Sequence, residues 1–84
     1  MALNKRRTAI LKHLLHTDAY SPMEELIEKF KVSRRTIYYD VEKINDWLTS
    51  QGLDEIDYIR SAGFVLTDRA KKLIPNKIDV MKAW

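Results

Sequence analysis

The chain has 84 residues, 45% hydrophobic and 32% charged, with a net charge of +3 at pH 7. That is enough for one domain around one small core, and it is the composition of an ordinary globular fold. Without cysteine there are no disulfides, thiolate metal sites or cysteine nucleophiles, and no apolar run approaches the ~18 residues that mark a membrane span.

The start, MALNKRRTAILKHLL, is basic but has no signal-peptide shape: its apolar positions recur at helical spacing and no small-residue cleavage site follows. A cytoplasmic location is therefore expected. Leu3, Ile10, Leu11, Leu14 and Leu15 form one stripe, which predicts a first helix from Asn4 to about His16. Thr17 to Tyr20 break the pattern. Ser21-Pro22-Met23-Glu24 then reads as a helix start, with serine as cap, proline at the first helical position and Glu24 closing a capping box. The second helix runs to Phe30 with Met23, Leu26, Ile27 and Phe30 inward.

Lys31-Val32-Ser33 is the turn between two helices. The backbone at Lys31 is expected to need positive φ, at about 1 kcal/mol for a residue with a Cβ. Val32 plugs the angle between the helices, and Ser33 caps the third. Ile37, Val41, Ile44 and Leu48 are its inward stripe. The third helix should end near Gln51, with Gly52 as stop. About 18 residues would span roughly 27 Å, so only its first two turns need touch a ligand while the rest serves as a core strut.

After Gly52 the period changes to two. Tyr58-Ile59-Arg60-Ser61 and Phe64-Val65-Leu66-Thr67 flank Ala62-Gly63 and predict a hairpin within residues 57–67. A two-residue loop at Ala62-Gly63 would set Ile59 opposite Leu66, both inward. A bulged turn with Gly63 left-handed is the other geometry that fits. Two strands are not stable alone, so they must pack on the helices as a wing. Asp68 to Ile74 resembles a short helix start, interrupted by Pro75. Ile78, Met81 and Trp84 make a further apolar stripe. Residues 1–68 are thus read as the domain. Residues 69–84 are a helical stub or linker toward a further domain, a dimer contact, or a helix packed back on the same core.

The charge is unevenly spread. Lys5, Arg6, Arg7 and Lys12 lie in an acid-free start, Lys29, Lys31, Arg34 and Arg35 in a second acid-free stretch, and Glu24, Glu25 and Glu28 together on the second helix. Separated faces of opposite sign orient a protein on a polyanion. Arg34 and Arg35 open the third helix, where cations oppose the helix dipole unless an anion is near. Arginine also makes bidentate contacts to guanine or phosphate. Such a helix, held at an angle by an apolar partner, fits a DNA major groove. Ser33, Arg34, Arg35, Thr36, Tyr38, Tyr39 and Lys43 are therefore candidate contacts on the recognition helix, Lys43 toward phosphate. Arg6, Arg7, Arg60, Ser61 and Gly63 are candidates for phosphate and wing contacts. Asp40 is an acid near this surface that phosphate would repel, so it is a poor direct contact, and its expected use is to orient Arg35, Lys43 or an arginine of the first helix. His13 and His16 lack a third ligand, the glutamates lack a pocket, and Ser61-Ala62-Gly63 lacks the glycine before serine that a nucleophile elbow needs. No enzyme, metal or cofactor is expected.

The segments FKVSRRTIYYDVEKIN and IRSAGFVL resemble the N-terminal helix-turn-helix of bacterial regulators that carry phosphotransferase-system regulation domains (PRDs), including BglG-type activators and mannitol-type regulators. They are also similar to DeoR-type domains, which share VSxxTIxxD. Lys31 stands where those turns more usually have glycine. The resemblance covers roughly residues 5 to 68. It implies a mainly α winged helix-turn-helix with a small β-hairpin, in a transcription regulator of a sugar-uptake operon that binds operator DNA, an inverted repeat, as a dimer. It places Ser33, Arg34, Arg35, Thr36, Tyr38 and Tyr39 at the recognition positions. No membrane partner and no small-molecule ligand of this domain are implied. The competing readings are a winged helix that docks a protein without binding DNA, and one that binds RNA.

Overall fold

The computed structural model describes residues 3–74, in the order α1 (Lys5–Leu15), α2 (Met23–Phe30), α3 (Arg34–Ser50), β1 (Asp57–Ile59) and β2 (Gly63–Val65), followed by a helix over 68–74, here α4. Four helices and a two-stranded antiparallel hairpin make a winged helix-turn-helix. The Pro75 break and the stripe of Ile78, Met81 and Trp84 lie outside the described residues.

Local chemistry explains most element ends. The Asn4 side chain accepts from the Arg7 amide at 2.8 Å and caps α1. The Ser33 hydroxyl caps α3 by accepting from the Thr36 amide at 3.2 Å. Between α2 and α3, Lys31 adopts φ 57° and ψ 43°, as the turn requires. Gly52, at φ 73°, lets the chain leave α3. Ile56 donates its amide to the Asn45 side chain at 2.8 Å, which folds the following loop back along α3.

The start of α2 differs from expectation. Pro22 is the N-cap, without a side-chain hydrogen bond, so Ser21 stands one residue too early to close a box with Glu24. Ser21 is buried and pairs with Phe64 as an isolated antiparallel bridge, its amide donating to Phe64 O at 2.8 Å and its carbonyl accepting from Phe64 N at 2.9 Å. Satisfying the open edge of β2 outweighs one cap bond.

The hairpin register also differs from the two-residue loop. Asp57 pairs with Val65, Tyr58 with Phe64 and Ile59 with Gly63, leaving Arg60-Ser61-Ala62 as the loop. The Ala62 amide donates to Ile59 O at 2.9 Å to close it. Gly63 has φ +121°, so positive φ falls at Gly63 as in the bulged alternative. Ile59 consequently does not pack inward opposite Leu66; it is 45% exposed. Phe64 and Leu66 carry the wing into the core instead.

That core joins Ile10, Leu11 and Leu14 of α1, Met23 and Leu26 of α2, and Ile37, Val41, Ile44, Trp47 and Leu48 of α3. Val32 packs against it from the turn. Ala70 and Ile74 of α4 are fully buried in the same cluster. The α4 start is held by Thr67, whose hydroxyl accepts from the Ala70 amide at 3.1 Å, and Lys71 donates to Thr17 O at 2.8 Å.

Candidate nucleic-acid interface

With its inward stripe buried, α3 turns the other sides of its first two turns to solvent. Arg34, Arg35, Tyr38 and Tyr39 are all exposed, Tyr38 by 43% and Tyr39 by 51%. The first turn contains no acid, so the positive helix end and two guanidiniums share one surface. Arg34 Nη2 meets Glu24 Oε2 at 3.1 Å across an exposed gap. Among the described residues no carboxylate forms an ion pair with Arg35. Thr36 is engaged locally, its hydroxyl 3.1 Å from that of Ser33.

The two tyrosines face different neighbours. Tyr39 lies between cations: Arg7 sits 5.2 Å and Lys43 5.3 Å from its ring centroid. Both distances are within cation–π range. Tyr38 leans toward the wing, with its hydroxyl 3.2 Å from that of Tyr58 and its ring edge-on to Tyr58 at 6.0 Å. Tyr58 was not among the sequence candidates. Its face of β1 is exposed, and the signal for it is tertiary: its ring packs on Phe64 at 4.6 Å, and Phe64 is fixed in the core.

Arg6 and Arg7 converge on Asp40, whose side chain is fully buried on α3. Arg6 Nε donates to Oδ2 at 2.5 Å, Arg6 Nη2 to Oδ1 at 3.0 Å and Arg7 Nε to Oδ1 at 3.0 Å. Burial acts to raise the Asp40 pKa, but the hydrogen bonds and charges of the two arginines overcome it and leave the carboxyl below its ordinary value. Asp40 thus serves the helix-one arginines, not Arg35 or Lys43. Arg6 and Arg7 are in turn committed to an internal clamp, with side chains 38% and 20% exposed. This neutralises cations at the start of α1, where the dipole disfavours them.

In the wing, Arg60 and Ser61 are exposed at the tip. Gly63, grouped with them from sequence, is instead buried at the wing's base. A Cβ there would lie 2.1 Å from the Ser21 carbonyl oxygen, so glycine is needed for close backbone approach. A cleft of about 480 Å³ opens between the starts of α2 and α3 and the wing, bordered by Glu24, Arg34, Tyr38, Tyr58, Arg60 and Ser61 among others. His13 Nε2 is 3.0 Å from Glu25 Oε2 and 3.4 Å from Ser21 Oγ, which ties α1 to α2. No helix among the described residues is long and apolar enough to cross a membrane.

Residues 6–65 match the HTH domain family. No curated protein and no solved structure matches the chain. The matched span includes α1 from Arg6, the turn at Lys31, the whole of α3 and the hairpin through Val65. The chain belongs to the HTH domain family and is a DNA-binding domain of the kind that serves transcriptional regulation.

Proposed function

We propose that this domain reads a specific sequence in double-stranded DNA, with the first two turns of α3 in the major groove and the wing along the flanking backbone. The observation that supports it is the division of α3. Ile37, Val41, Ile44 and Leu48 are sealed in the core, while Arg34, Arg35, Tyr38 and Tyr39 are exposed on the helix's other sides, with Arg34 and Tyr38 bordering the same cleft as Arg60. Arg35 suits a base edge, because an exposed guanidinium with no ion-pair partner among the described residues can present both donors to guanine O6 and N7. Tyr39 and Lys43 lie further along the same side, where hydroxyl and ammonium suit phosphate. The resemblance to PRD-containing regulators extends the proposal to a bacterial regulator of a sugar-uptake operon, bound as a dimer to an inverted repeat.

Selection of bound duplexes from a random pool tests this directly. The expected product is an enriched motif, and an inverted repeat with half-sites about 34–36 Å apart would report the dimer. Affinity should fall with salt at a log–log slope of about −0.9 per phosphate neutralised. No enrichment, with no salt-dependent duplex binding, would favour protein docking, and a preference for structured RNA would overturn the duplex assignment.

A further inference from the structure

We propose that the cleft between α2, α3 and the wing seats one backbone phosphodiester of the bound duplex, held by Arg34 and Arg60 together with the outward hydroxyl of the Tyr38–Tyr58 pair. The inference rests on the duplex-binding reading above and adds a contact that the recognition-helix pattern does not contain. It also moves Arg34 and Tyr38 from base reading to the backbone.

Tyr38 and Tyr58 oxygens lie 3.2 Å apart at the cleft wall. Within such a pair one hydroxyl donates to the other, and the accepting hydroxyl keeps its own hydrogen. The pair therefore presents one outward O–H donor, which suits an anionic oxygen. Tyr38 next to it pushes the Tyr58 pKa up, with desolvation adding and the charges of Arg34 and Arg60 partly opposing. The Tyr58 hydroxyl thus stays protonated at neutral pH.

The charges have the matching arrangement. Arg34 and Arg60 line the same cleft from helix and wing. The facing acid is Glu24, which occupies Arg34 at 3.1 Å from the lip. This pair is solvent-exposed and correspondingly weak, so a phosphodiester entering the cleft can replace the carboxylate on Arg34. The walls are held in register before any ligand arrives, because the two Ser21–Phe64 backbone bonds join the start of α2 to the base of the wing. Gly63 permits that approach. The ligand expected is a phosphodiester in a polymer and not a free anion, since the cleft is open and its net charge is only that of two arginines and one glutamate.

The test uses the 84-residue chain and the duplex recovered by selection, in which single phosphates are replaced one at a time by neutral methylphosphonates. For the unmodified protein one position near the wing should cost about tenfold in affinity. Replacing both Tyr38 and Tyr58 by Phe removes the outward donor, keeps the ring that packs on Phe64 and should weaken all duplexes three- to tenfold with the salt slope unchanged. Arg60→Ala should weaken all duplexes and lower the slope by about 0.9. In a variant that combines Arg34→Ala, Tyr38→Phe, Tyr58→Phe and Arg60→Ala the cost of that methylphosphonate should vanish, and Glu24→Gln should tighten all duplexes alike. If Arg35→Ala impairs binding while the paired tyrosine changes and Arg60→Ala do not, or if the methylphosphonate cost persists in the combined variant, the seat is wrong although the duplex reading stands. If the unmodified chain binds no duplex, both fall together. Inorganic phosphate at matched ionic strength should not displace the duplex; displacement would assign the cleft to the free ion.

Discussion

Replacing Asp40 by asparagine isolates the clamp that fixes α1 across α3. Asparagine keeps the shape but turns one oxygen into an NH2. With that group toward Arg6 Nε, one of the three bonds is lost and two remain to a neutral acceptor. A hydrogen bond to a charged group contributes about 1.5–3 kcal/mol and a neutral one about 1 kcal/mol. Losing one and roughly halving two gives about 4 kcal/mol. Arg6 is 38% exposed, and water compensates part of its loss, so the expected destabilisation at pH 7 is about 2–3 kcal/mol. Urea denaturation should show this as a lower midpoint at constant slope. The pH dependence supplies the sharper check. Because the folded-state pKa of Asp40 is lowered, its contribution is fully present above the ordinary carboxylate value near ~4 and is lost as pH falls through the lowered value. The gap between the two proteins should therefore be constant from pH 7 to about 5 and close below about 4. A gap that persists unchanged at pH 2, or one below about 0.5 kcal/mol at pH 7, would refute the assignment of charge-assisted bonds to this site.

Other substitutions probe separate parts. Gly63→Ala sets a Cβ 2.1 Å from Ser21 O; losing two backbone bonds and imposing positive φ should cost about 3–4 kcal/mol, visible in urea melts and as lost amide protection at Ser21 and Phe64. Lys31→Gly relieves a left-handed residue at φ 57° and should stabilise by about 0.5 kcal/mol after the added entropy of the unfolded chain; a lower urea midpoint would contradict this. Arg35→Ala should leave stability within about 0.5 kcal/mol of the parent yet relax base preference by about 1–3 kcal/mol in competition assays. Lys43→Ala should weaken all duplexes alike, and a change in preferred sequence would show that it meets a base.

The helices were legible because burial follows a 3.6-residue period that single substitutions cannot hide. Ile37, Val41, Ile44 and Leu48 all lie in the core, and Ser33 caps α3. The left-handed backbone at Lys31 was signalled only by the glycine more usual in such turns, and lysine adopts it at φ 57°. Local rules failed where a distant partner competed. Ser21 satisfies every short-range condition for a cap, yet the open edge of β2 takes its backbone. The hairpin loop has three residues instead of two, with Phe64 bridged to Ser21 and buried while Ile59 at the loop is exposed.

The chain's own periodicities, turn residues and charge distribution determined three helices at a sharp corner, a wing after them, and an arginine-bearing helix start that must face solvent. Tertiary packing alone decided which partner each polar group found. Asp40 had cations available on its own helix and on α1, and the crossing of α1 over α3 selected Arg6 and Arg7. Tyr58 met Tyr38 only because Phe64, anchored from below and bridged to Ser21, brought the wing against α3. Such pairings depend on distances between segments far apart in the chain, and no pattern along one segment contains them.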